Sequence, residues 1–99
     1  MPIYVLATRI DPHALTGPHA LEALEKQVTL KIQNDIPEVH WVANYAILGQ
    51  FDYLDVFEAP DNDSAAKVSL IIRSFGHATT EIWPAIRWKH FEGLVESRE

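Results

Sequence analysis

From Ile3 to Ile10 the chain runs through β-branched and aromatic residues with one charge, which predicts a first strand. Leu21, Leu24, Val28 and Ile32 then recur at helical spacing, while Glu22, Glu25, Lys26 and Gln33 lie off that stripe. Pro18 suits the first turn of this helix, with Thr16 or Gly17 near its cap, and Pro37 ends it by disfavouring helical geometry at Ile36. Two further apolar stretches, about Val39–Leu48 and Phe51–Ala59, read as strands joined by Gly49-Gln50. With glycine first, that pair predicts a type II′ hairpin turn. Pro60 stops the second of these strands and Asp61 is placed to cap a helix that buries Val68, Ile71, Ile72 and Phe75. Gly76 is positioned as its left-handed terminator. A last strand spans about Ala78–Trp88, and its Pro84 removes a ladder donor, which predicts a sheet edge. Beyond it Trp88, Phe91, Leu94 and Val95 are spaced to dock a short C-terminal helix.

The order strand, helix, strand, strand, helix, strand is that of the α+β ferredoxin-like fold, a four-stranded antiparallel sheet in the order 4-1-3-2. The fourth strand is then an edge, in agreement with Pro84. Both helices cover one sheet face and leave the other bare, and a bare apolar face calls for a cover. A turn at Gly49-Gln50 sets Ala46 opposite Tyr53, Asn44 opposite Asp55 and Val42 opposite Phe57, all on one face because side chains alternate. Ala43, Tyr45 and Ile47 share the other face with Asp52, Leu54 and Val56. The expectation is that this second set faces the helices. The first set, aromatics around the polar pair Asn44 and Asp55, is then left for a partly wet lumen between subunits.

Ninety-nine residues form a single domain, residues 1–99, and 47% hydrophobic content supports a real core. A domain this small buries a limited share of its surface, so oligomerisation helps it. The absence of cysteine excludes disulfides and thiolate metal sites. Fourteen acidic against eight basic residues give a formal charge of -6, which repels phosphate backbones and argues against nucleic acid as a partner. No apolar run reaches the roughly 18 residues of a membrane span, and the first residues, Met-Pro-Ile-Tyr-Val, do not resemble a signal peptide. The expectation is a cytoplasmic protein with no membrane partner.

Several motifs in sequence resemble one family. Gly49-Gln50-Phe51-Asp52, the acidic helix start after Pro60, the pair Ala65-Ala66 and Gly76-His77-Ala78-Thr79-Thr80-Glu81 together resemble the GYD-domain family, best from about Tyr45 to Ile86. These are small, largely uncharacterised proteins related to the dimeric α/β barrels, so the resemblance implies that barrel and a homodimer or higher homo-oligomer. Phe51 stands where the namesake tyrosine usually sits, and His77 replaces the more usual asparagine. Gly49 to Leu54 is also similar to the effector-binding domain of leucine-responsive transcription regulators, which binds amino acids between subunits. No helix-turn-helix precedes the first strand here.

The candidate chemistry is sparse. Asp52, beside the end of the first strand and the start of the first helix, reads first as a structural acceptor for helix N-terminal amides or for Thr8 or Arg9. Asp55 with Asn44 is the better site: an enclosed mid-strand carboxylate has a raised pKa and can act as a base. His40 shares their predicted face and is the candidate for proton transfer. The expected ligand-binding residues are therefore Asn44, Tyr53, Asp55, Phe57 and Trp83, and the catalytic candidates Asp55 and His40. Five histidines without ligand spacing predict no metal site, and with four glycines no phosphate loop can be written, so no cofactor is expected. Three functions compete: a homo-oligomer binding a small molecule on the helix-free sheet face, a small cofactor-free monooxygenase- or isomerase-like enzyme, and a purely structural oligomerisation subunit.

Overall fold

A computed structural model describes residues 1–12, 18–76 and 78–97, with the backbone alone for Pro18, His19 and Leu21. Its elements follow the predicted order: β1 (Ile3–Ile10), α1 (Pro18–Asp35), β2 (His40–Ala46), β3 (Tyr53–Glu58), α2 (Asn62–Ser74), β4 (Ala78–Ala85) and α3 (Trp88–Glu96). The strands form one sheet in the order β2-β3-β1-β4, antiparallel throughout, which is the expected ferredoxin-like arrangement read from its other edge. Pro84 sits on the edge strand β4, where a missing donor costs nothing on the solvent side. The predicted cap at Thr16 or Gly17 lies outside the described residues, as do His13 and His77.

Local chemistry accounts for the ends of α2. The Asp61 carboxylate accepts from the Ser64 amide at 2.8 Å, and Asp63 in the first turn and Arg73 in the last complement the helix dipole. Gly76 takes φ +78°, and its amide donates to the Arg73 carbonyl at 3.0 Å, closing the helix as its position predicted. The hairpin differs from its prediction. Gly49 does not adopt positive φ, and the closing bond runs from the Ile47 amide to the Asp52 carbonyl at 2.9 Å. The connection is thus a four-residue loop, 48–51, rather than a type II′ turn, although Ala46 still faces Tyr53 and Asn44 still faces Asp55.

The core lies between the sheet and α1 and α2, and it inverts the expected faces. Tyr4 and Leu6 of β1 and Phe57 of β3 pack with Ile32 of α1 and with Ala65 and Val68 of α2. Phe57 has no exposed surface and stacks on Tyr4 with ring centroids 5.5 Å apart. Tyr53, Asp55 and Asn44, on the same face of the sheet, therefore point toward the helices, and Val5, Leu54, Val56 and Trp83 occupy the bare face. The cause is β1: Tyr4 pairs with Phe57 and Leu6 with Asp55, so the largest residues of the central strand choose the face. A second correction follows from a bulge. Trp41 pairs with Phe57 but Ala43 pairs with Val56, leaving Val42 as the extra residue. His40, opposite Glu58, is thereby turned away from Asp55 and onto the other face.

The C-terminal helix forms but does not dock. No residue of α3 is buried, and its apolar residues Trp88, Phe91, Leu94 and Val95 remain between 43% and 69% exposed. Its start is pinned instead. Arg87, just before the helix, donates to Glu58 Oε2 at the end of β3 at 2.8 Å and to the Met1 carbonyl at 3.4 Å. The molecule reaches 56 Å along its longest axis, and its radius of gyration of 15.2 Å exceeds the roughly 13 Å of a compact chain this long.

Candidate functional site

Between the sheet and the helices lies a cavity of about 470 Å³. It exists because α1 reaches the core only through its last turns: Ile32 is buried, whereas Leu24 and Val28 are only partly covered. Leu24, Glu25, Val28 and Thr29 of α1 form one wall and Ile72 and Phe75 of the α2 end another. The floor is the sheet: Leu6, Thr8 and Ile10 from β1, Trp41, Asn44 and Ala46 from β2, Tyr53 and Asp55 from β3, and Ala78 from β4. The volume falls within the range of small-molecule sites, as does an apolar lining with a few convergent polar groups.

Asp55 is the chemical centre of this cavity. Asn44 Nδ2 donates to its Oδ1 at 2.7 Å, the cross-strand pairing that the sequence predicts. Burial raises the Asp55 pKa above the usual carboxylate value. The Asn44 hydrogen bond opposes that rise and the nearby Glu25 charge adds to it. Tyr53 has its phenol pKa raised as well, first by burial, then by the facing Glu25 carboxylate that accepts its hydrogen bond, and by Asp52 and Asp55. Thr8 is 5% exposed, and among the described residues its hydroxyl has no hydrogen-bond partner. Such a group is normally satisfied in a folded protein.

The predicted site residues divide. Asn44, Tyr53 and Asp55 line the cavity together; Phe57 lies beneath it, in the core. Trp83 lies on the opposite sheet face, where its indole donates to Glu81 Oε1 at 3.0 Å and its ring meets Phe51 edge-on at 5.9 Å. Arg9 also lies over that Phe51 ring, 5.5 Å from its centroid, and donates to the Gln50 carbonyl at 2.9 Å. Phe51 thus anchors the hairpin loop by packing, with no hydroxyl. Asp52 has a structural role: its Oδ2 accepts from the Ile10 amide at 2.7 Å, and its own amide donates to the Thr8 carbonyl at 2.8 Å. Among the described residues no cluster of three or more histidines and acids is arranged to hold a metal, and no helix is long and apolar enough to cross a membrane.

Sequence reasoning missed Thr8 and Glu25. Thr8 could have been found, because Tyr4, Leu6, Thr8 and Ile10 share one face of β1 and only Thr8 is polar. Glu25 reads as a solvent residue beside the apolar stripe, and only the folded structure sets it among the residues that line the cavity.

The chain matches the family model described as "GYD domain" over residues 4–95. It is also 36% identical over 87 residues to the glutamine synthetase and cystathionine beta-lyase binding protein of Thermus thermophilus, covering 87% of this chain and 90% of that relative. With the fold as described, the chain belongs to the GYD-domain family.

Proposed function

We propose that this GYD domain acts by association: it is a homodimeric protein-binding domain that also holds a small molecule in the cavity between its helices and sheet. The observation that carries this reading is the uncovered apolar surface. Val5, Leu54, Val56 and Trp83 face away from both helices, and α3 adds an amphipathic helix with none of its residues buried. The Arg87–Glu58 pair fixes the start of α3 on that same side of the sheet. Surfaces of this kind mark interaction sites in soluble proteins. A second copy is the natural cover, because an isologous contact buries the same sheet face twice. The relative described as binding two enzymes supports a protein partner for the assembled dimer. The ligand sits within one chain, not between subunits as the sequence led one to expect, because Asn44, Tyr53 and Asp55 face the helices.

Sedimentation equilibrium at micromolar concentration tests the reading. The expected particle has twice the 11.2 kDa chain mass, and Val56→Glu shifts it toward the monomer. A wild-type monomer under those conditions overturns the proposal.

The raised pKa of Asp55 favours a second reading, a small cofactor-free enzyme with Asp55 as general base. His40 cannot assist it, since the bulge turns that residue to the other face. Asp55→Asn should then abolish turnover while leaving the fold intact; full activity in that variant removes the reading.

A further inference from the structure

We infer that the cavity between α1, α2 and the sheet takes an apolar organic amine, bound as its ammonium ion, in preference to a carboxylic acid or an amino acid. This deepens the ligand part of the proposed function and rests on it, but it does not depend on the dimer. The first ground is the charge inventory. Asp55 and Glu25 line the cavity, whereas no lysine, arginine or histidine does so among the described residues. A ligand carboxylate would meet these two anions and, among the described residues, no counter-charge. An ammonium group would meet a carboxylate with an open acceptor, since Asn44 engages only Oδ1 of Asp55.

The second ground is Thr8, which is independent of the acids. Its hydroxyl is buried and lacks a partner among the described residues, and it borders the same cavity. Leu6 pairs with Asp55 and Thr8 with Tyr53, so Thr8 and Asp55 are diagonal neighbours on adjacent strands. Such residues are roughly 7–8 Å apart at the backbone, and side chains that converge across that span bring their oxygens within reach of two of the three donors of one ammonium. The Thr8 hydroxyl accepts one of these bonds and Asp55 Oδ2 the other. The rest of the cavity is suited to the hydrocarbon body: Leu24, Val28, Ile72 and Phe75 form the walls, with Trp41 on the sheet side. The α-carboxylate of an amino acid would face Asp55 and Glu25 with only neutral donors among the described lining residues, such as the Thr8 hydroxyl and the second Asn44 amide hydrogen, to offset the repulsion.

Isothermal titration calorimetry on the wild-type chain at neutral pH, with four probes of one shape, tests this. The probes are 2-phenylethylamine, 2-phenylethanol, phenylacetate and phenylalanine. The amine should bind saturably, with the alcohol and phenylalanine each weaker by about tenfold or more and phenylacetate showing no heat of binding. Asp55→Asn should weaken the amine by about tenfold while leaving alcohol binding within about twofold, and Thr8→Val should weaken the amine without reversing the order of the probes. If the alcohol or the acid binds as well as the amine, the ammonium assignment is overturned while the cavity remains a ligand site. If none of the four binds at millimolar concentration, the inference fails and the ligand part of the proposed function fails with it.

Discussion

Phe57 lies on the inner face of the sheet, and its removal gives a quantitative test of that face assignment. The ring has no exposed surface, stacks on Tyr4 and contacts Trp41 at centroid distances of 5.5 Å each. Truncating such a buried aromatic costs about 3–5 kcal/mol from lost transfer energy and the cavity left behind. A domain of this size has about 5–15 kcal/mol in total, so Phe57→Ala should be at best marginally folded. Phe57→Leu keeps a branched apolar group at the site and should cost about 1–2 kcal/mol, within the range of urea unfolding. The neighbouring Val56 points to the bare face and is half-buried. Val56→Ala removes two carbons at partial burial and should cost about 1 kcal/mol or less in the isolated chain. If a second copy covers that face, the Val56 cost should grow with protein concentration, whereas the Phe57 cost stays fixed. Urea melts by circular dichroism at two concentrations a hundredfold apart separate the cases. A Val56→Ala cost equal to or above that of Phe57→Ala at both concentrations would refute the face assignment.

Four further outcomes follow from particular residues. The folded pKa of Asp55 is raised, so native Asp55 holds its proton more tightly than the unfolded chain does. Stability from this group is greatest below its unfolded value of 3.8 and falls as pH rises through the folded value. Asp55→Asn should therefore gain on the wild type with rising pH across that window, and a difference independent of pH counts against it. The folded pKa of Asp61 is lowered, chiefly by its hydrogen bonds from Ser64, so its contribution is present above 3.8 and is lost as pH falls through the folded value. Asp61→Ala should destabilise α2 at neutral pH and make no difference in strong acid, as read by thermal melts at the two pH values. Gly76→Ala should cost about 1–2 kcal/mol from the positive φ alone, because a Cβ there meets nothing within 4 Å. Gly93→Ala, in open space on α3, should instead add about 0.5–1 kcal/mol of helix stability, seen as increased ellipticity at 222 nm.

The chain alone determined the elements, their order and the sheet topology, because these rest on local signals. Periodicity set the helices, Asp61 and Gly76 marked the ends of α2, and Pro84 placed β4 at the edge. The hairpin register was legible too: Asn44 meets Asp55 as the spacing implied, even though the loop is longer than a two-residue turn. What the tertiary structure decided was the inside. Tyr53, Asp55 and Phe57 on one face of β3 and Leu54 and Val56 on the other are both apolar enough to be buried, so alternation by itself cannot choose. The choice came from Tyr4 and Leu6 on the neighbouring strand, and the bulge at Val42 then separated His40 from Asp55. The cavity was equally out of reach of the sequence, since it depends on how loosely the first half of α1 covers the sheet, where Leu24 and Val28 are only partly buried. The Arg87–Glu58 bond, which spans 29 positions of the chain and ties the residue before α3 to β3, was likewise invisible in the sequence. Such contacts between distant segments have no periodic signature, so they become visible only when the chain is folded.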